Sequence, residues 1–269
     1  PIFSLFYLMY SIFYLLYIAS VIASLTYSLG ALFYGSPIPI SSFKRFGHKM
    51  ILDAIYADIW INLFFFIINI INQIQSSLGY SWSIFYLDFG MLDLQLIYTI
   101  NAFKLWYISL SALVSYIRFP TYLINVLGPL LQYISFLTDI LFSLAIYLEF
   151  GTFIEGSYMT LIAVGVLLMS LPFRMGKGIG GYLIGFAIVF YIGFPYLPVL
   201  ISGTSPSLYD LVVHNLQLGL AEISFNFPIL VYSFIILPIV YIGILMGFSF
   251  ILGSFISGYS VRLPINIDI

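Results

Sequence analysis

Lys44-Arg45-Phe46-Gly47-His48-Lys49 separates two long apolar stretches, and its charge is the first beat of a pattern that decides the fold. Before it the chain is apolar and uncharged from about Ser4 to Phe33; after it a second apolar stretch runs from about Ile51 to Ile74. Farther out, the gaps between such stretches alternate in sign. Arg118 lies in the third gap, Arg174 and Lys177 in the fifth, and Arg262 follows the last stretch. The second, fourth and sixth gaps hold no Lys or Arg, only Asp88, then Glu149 and Glu155, then Asp210 and Glu222. Alternating basic and base-free loops are what the positive-inside rule imposes on a chain that crosses a bilayer repeatedly. The expectation is an all-α integral membrane protein, a bundle of about seven transmembrane helices with its N-terminus outside and its C-terminus inside, plus one outer amphipathic helix.

Composition supports that class. Of 269 residues 62% are hydrophobic and 7% charged, and the mean hydropathy is +1.13. Soluble domains carry about 25% charged residues, so residues 1–269 read as one polytopic transmembrane domain in the cell membrane. Cysteine is absent, which rules out iron–sulfur clusters, thiolate zinc sites and Cys-linked haem. His48 and His214 fall on opposite faces of the expected topology and are too few for paired haem ligands, so neither a metal nor a cofactor is expected. No H-E-x-x-H, G-x-S-x-G or convincing carboxylate pair is present, and an enzyme reading finds no site. Pro1 fits either removal of an initiator Met or cleavage of a leader.

About 20 apolar residues cross the hydrocarbon. The spans are expected at about 4–33, 51–74, 91–117, 121–148, 158–171, 179–201 and 228–256. Pro37 and Pro39 stop the first, Pro120 divides the third from the fourth, and Pro195, Pro198 and Pro238 should kink the last two. Tyr80, Trp82 and Tyr86 resemble an outer aromatic belt. In the sixth gap Ser205-Pro206-Ser207 precedes Asp210, His214, Gln217, Ala221 and Ser224 at helical spacing. Residues 207–224 therefore read as the amphipathic helix.

Three groups of residues stand out. Lys104 lies near the middle of the third span with Asn101 one turn before it. A lysine there costs about 2.5–3.5 kcal/mol, so it should face the bundle interior with a partner. Asp139 in the fourth span is the candidate, at a depth that differs by ~5 Å, and the pair is either a packing device or part of an ion or solute path. Asp53 and Asp58 are weaker signals, since Lys49 stands four residues before Asp53 and can pair with it on the helix surface. Glycines form the third group. Gly181 and Gly185, and again Gly243 and Gly247, have the small-xxx-small spacing of closely packed membrane helices. Gly176-Lys177-Gly178 is not a phosphate-binding loop, because no Ser or Thr follows the lysine and no strand precedes it.

The stretch Leu171-Pro172-Phe173-Arg174-Met175-Gly176-Lys177-Gly178-Ile179-Gly180-Gly181-Tyr182-Leu183-Ile184-Gly185, with Tyr191-Ile192-Gly193-Phe194-Pro195 after it, resembles a segment of polytopic components of type IV secretion and conjugation systems. The similarity is to TrbL-like proteins and the crenarchaeal CedA family of DNA importers, over about 25 residues. It implies a membrane channel or scaffold for single-stranded DNA, working as a homo-oligomer or within a larger assembly with an ATPase and a pilin-like partner. On that resemblance Arg174 and Lys177 occupy the matching inner turn and would contact phosphate. The acidic outer loops oppose phosphate unless acidic surroundings protonate carboxylates of pKa about 4. Two alternatives remain open: a small-solute or ion transporter built on Lys104 and Asp139, and a non-catalytic anchoring subunit of a membrane complex.

Overall fold

A computed structural model of the chain describes residues 2–37, 41–117, 121–174, 176–205 and 227–258. These form α1 (Ile2–Gly35), α2 (Ser41–Ser77), α3 (Trp82–Ile117), α4 (Thr121–Ser170), α5 (Lys177–Gly193), α6 (Leu197–Thr204) and α7 (Phe227–Ser257). No strand occurs among the described residues, and six helical stretches are long and apolar enough to cross a membrane, α5 and α6 together making one of them. Tyr98, Tyr116, Phe142, Ile239 and Phe255 stand exposed on helix surfaces. Surface of that kind suits hydrocarbon and not water. The expected amphipathic helix 207–224, with Asp210, His214 and Glu222, lies outside the described residues, as do Arg118 and Arg262.

Several helix boundaries follow from local backbone chemistry. Gly79 sits at φ +77° after α2, a left-handed conformation that glycine adopts without steric cost. Pro172 pushes the residue before it out of helical geometry, and α4 stops at Ser170. Pro195 and Pro198 fall where α5 gives way to a tight turn at Phe194–Tyr196 and then to α6. Pro238 cannot donate the next backbone hydrogen bond, and α7 accommodates it with a π-turn at Tyr232–Ile236.

The expected reversal between spans four and five does not occur. Thr121–Ser170 is one helix of 50 residues, about 75 Å of rise. Glu149, Gly151, Glu155 and Gly156 sit inside it. Glycine in a helix costs about 1 kcal/mol and an exposed glutamate almost nothing, so a polar interval without proline does not turn the chain. The helices also run well past the lengths read from hydropathy alone, α2 having 37 residues and α3 36.

The chain divides into two compact units. Unit 1 comprises Pro1–Gly79, Ile154–Phe194 and Ile244–Ile269; unit 2 comprises Tyr80–Phe153 and Pro195–Gly243. In unit 1 backbones meet at glycine. A β-carbon on Gly47 of α2 would lie 2.7 Å from the Gly30 carbonyl of α1, and one on Gly185 of α5 would lie 2.6 Å from the Ser249 carbonyl of α7. Side chains then tie further pairs of helices: the Thr26 hydroxyl of α1 donates to the Ser170 carbonyl of α4 at 3.0 Å, and the Tyr56 hydroxyl of α2 to the Ile256 carbonyl of α7 at 2.9 Å. In unit 2, α3 packs on α6, and aromatic rings join distant segments, with Tyr80 on Tyr196 at 4.9 Å and Phe136 on Phe227 at 4.4 Å.

Candidate nucleic-acid interface

Along α2, Phe46, Lys49 and Asp53 recur at three- and four-residue spacing and so share one face. The turn between α4 and α5 lies along that face, because Phe173 stacks on Phe46 and Lys177 reaches Asp53. Thr26 of α1 meets Ser170 at the same end, and Tyr56 meets Ile256 near the end of α7. One end of unit 1 thus collects Lys44, Arg45, Lys49 and Lys177. At the other end the Tyr191 hydroxyl donates to Asn72 Oδ1 at 3.1 Å, the Gln75 amide donates to the Tyr191 carbonyl at 3.2 Å, and the Tyr158 and Tyr191 rings stack at 3.7 Å.

The cations at the basic end do two different jobs. Lys177 Nζ lies 2.6 Å from Asp53 Oδ1, with side-chain exposures of 14% and 9%, and 5.3 Å from the centre of the Tyr56 ring. A lysine in the first turn of α5 faces the positive end of the helix dipole, and Asp53 offsets that repulsion. Lys177 is thus engaged with Asp53 in packing, and the phosphate contact expected of it would compete with that ion pair. Asp53 is taken by Lys177 and not by its helical neighbour Lys49. Lys44, Arg45, His48 and Lys49 are all exposed. Arg174 belongs to the turn Pro172–Arg174; its side chain lies outside what is described.

Aromatic rings interleave with these cations. Phe43 and Phe46 are 40% and 39% exposed, and Phe173 is 48% exposed. Phe33 braces the first two edge-on, at 5.4 Å from Phe43 and 6.1 Å from Phe46. Phe173 carries a positive φ of 63°, a left-handed conformation that costs a residue with a β-carbon about 1–2 kcal/mol.

The remaining expected site residues fall elsewhere. Asn101 and Lys104 on α3 and Asp139 on α4 are exposed, and no ion pair joins Lys104 to Asp139. Asp58 lines a groove of about 410 Å³ with Ser24, Tyr27 and Ser28, between α1 and α2. Gly181 and Gly185 are at close approach, but to Gly253, Ser257 and Ser249 of α7; Gly243 and Gly247 meet nothing within 4 Å. The heptad of α7 that faces α5 is thus offset from the glycine pair that the spacing singled out. No group of three or more metal-ligating side chains occurs among the described residues. Phe46, Phe173 and Tyr56 were not singled out in the sequence. The alternation Phe43-Lys44-Arg45-Phe46 was the available signal, whereas the partnership with Phe173 comes only from the fold.

Comparison with known proteins supplies the lineage. A DNA import protein CedA of Sulfolobus acidocaldarius is 32% identical over 275 aligned residues, spanning 93% of this chain and 96% of that protein. The chain belongs to the CedA family of DNA import proteins. The family model described as DNA import protein CedA1 matches residues 4–77, a stretch that covers nearly all of the α1–α2 hairpin and so includes Phe43 to Lys49 of this CedA-family chain. No solved structure is significantly similar to it.

Proposed function

We propose that the chain is a non-catalytic membrane subunit of a DNA-import apparatus, a channel wall or scaffold whose basic end faces the cytoplasm and receives the DNA backbone. One observation carries this reading: in a member of a DNA-import family, Lys44, Arg45 and Lys49 stand exposed at one end of unit 1, while Asp53, the acid on their face, is neutralised by Lys177. Loops rich in Lys and Arg stay on the cytoplasmic side, and an incoming polyanion would be drawn towards them. The long apolar helices would hold the subunit in the cell membrane, with copies of itself, an ATPase and a pilin-like protein completing the apparatus. The solute-transporter alternative rested on Lys104 and Asp139, which are not brought together.

Replacing Lys44, Arg45 and Lys49 together by Gln tests the reading in cells. DNA uptake should fall at least tenfold while the membrane-inserted protein stays at its normal level. Unchanged uptake at normal protein level would refute it.

A further inference from the structure

At the basic end of unit 1 two phenylalanines lie nearly parallel, Phe46 of α2 and Phe173 of the α4–α5 turn, with centroids 6.0 Å apart and planes at 19°. They are not core residues, since 39% and 48% of their surfaces are exposed. Phe173 reaches its place through a strained backbone, φ 63°. Strain of this kind persists only where the surroundings over-determine it, and here Pro172 precedes the residue while the Lys177–Asp53 pair anchors the far side of the turn. Strained residues cluster at ligand clamps and functional sites, and this one holds a ring on the surface.

Cations flank the rings. Lys44 and Arg45 immediately precede Phe46, and Lys49 follows it one turn later on the same face of α2; all three are exposed. Exposed aromatic rings beside backbone-tracking cations are how proteins hold single-stranded nucleic acid, because every unpaired base offers a π-face. Bases inside a duplex are already stacked and offer none. Closing Asp53 into an ion pair removes the one carboxylate on that face of α2 that would repel phosphate.

We propose that Phe46 and Phe173 form a stacking platform for an unpaired base of the transported strand, with Lys44, Arg45 and Lys49 holding the phosphates on either side. The proposal rests on the DNA-import reading and adds to it the selection of single strands over duplex. The competing occupant of a ring-and-lysine surface is the anionic headgroup layer of a membrane.

The test uses the full chain in nanodiscs of uncharged lipid, titrated with dye-labelled single-stranded and duplex oligonucleotides of equal length. Phe46→Leu, at a regular helical position, should weaken single-strand binding about tenfold, the effect of losing one stacked base, and alter duplex binding less than twofold. Phe173→Leu should act in the same direction, and Phe46→Leu carries the test if that variant fails to fold. A 2-aminopurine base in the strand should be quenched on binding the parent chain and not the Phe46→Leu variant. Lys44→Gln with Arg45→Gln should weaken both DNA forms alike and flatten the salt dependence. If Phe46→Leu leaves single-strand affinity unchanged while the Lys44/Arg45 variant weakens both forms, the platform is refuted and the DNA reading survives. If the parent chain binds neither form, and Phe46→Leu instead lowers its retention on anionic vesicles, both fall and the surface is a membrane anchor.

Discussion

Unit 1 and unit 2 are made of similarly apolar helices, yet they are held together differently. In unit 1 the helices touch backbone to backbone at glycines and are then cross-linked by specific polar contacts: Lys177 to Asp53, Tyr56 to Ile256, Thr26 to Ser170, Tyr191 to Asn72. In unit 2 rings such as Tyr80, Tyr196, Phe136 and Phe227 fill the contacts, and two buried oxygens, Asp93 Oδ1 and Ser233 Oγ, have no hydrogen-bond partner. Between helices in an apolar solvent, packing and satisfied polar pairs supply the adhesion that the hydrophobic effect supplies in water. Unit 1 ties its basic end with made polar pairs, whereas unit 2 leaves these two buried oxygens unsatisfied.

Four experiments would break or sharpen this contrast. The largest effect is all or none. A continuous α4 carries Glu149 and Glu155 inside a helix, whereas the charge alternation would put them in an outer loop. Thr152→Pro, in the middle of that helix, should leave little folded protein in the membrane; a normal level of folded protein would restore the turn at residues 149–157. Next, Lys177→Met removes the ion pair with the buried Asp53 and should cost about 3–5 kcal/mol, most of it recovered on adding Asp53→Asn. Lys104→Met, at an exposed position of unit 2, should stay within about 0.5 kcal/mol. Unfolding titrations in bicelles would measure both.

The third comparison sets like motifs against each other. Gly185→Ala drives a methyl into the α7 backbone and should cost about 1–3 kcal/mol, while Gly247→Ala, in open space, should stabilise by about 0.5–1 kcal/mol. Equal effects would mean that α7 does not pack as described. The smallest difference concerns hydroxyls. Thr26→Val removes a made hydrogen bond and should cost about 1 kcal/mol. Ser233→Ala removes one never made and should be neutral or slightly stabilising, as thermal unfolding in the same lipid would register.

Some of this was legible before any tertiary structure. Hydropathy and sparse charge specify long membrane-class helices because segment length and transfer energy are properties of consecutive residues. Pro195 and Pro198 mark a break for the same local reason, while Pro238 is absorbed within α7. The interval at Glu149–Glu155 misled because polarity resembles a loop, whereas ending a helix takes a backbone that cannot continue. Lys104 and Asp139 drew attention because charge in an apolar run is conspicuous, but conspicuousness does not say which acid a lysine meets. Lys177 was visible as a basic residue of an inner turn; its capture by Asp53 was not.

By itself, then, the sequence determined the class of the molecule, an all-helical chain of long apolar segments, and the proline-marked break at Pro195 and Pro198, since each follows from neighbours along the chain. Only the tertiary structure decided that Lys177 is engaged with Asp53, that Gly253 and not Gly243 or Gly247 meets α5, and that Phe173 lies on Phe46. Those facts depend on the rotation and register of helices distant in sequence, and close packing settles them between backbones that no local pattern encodes.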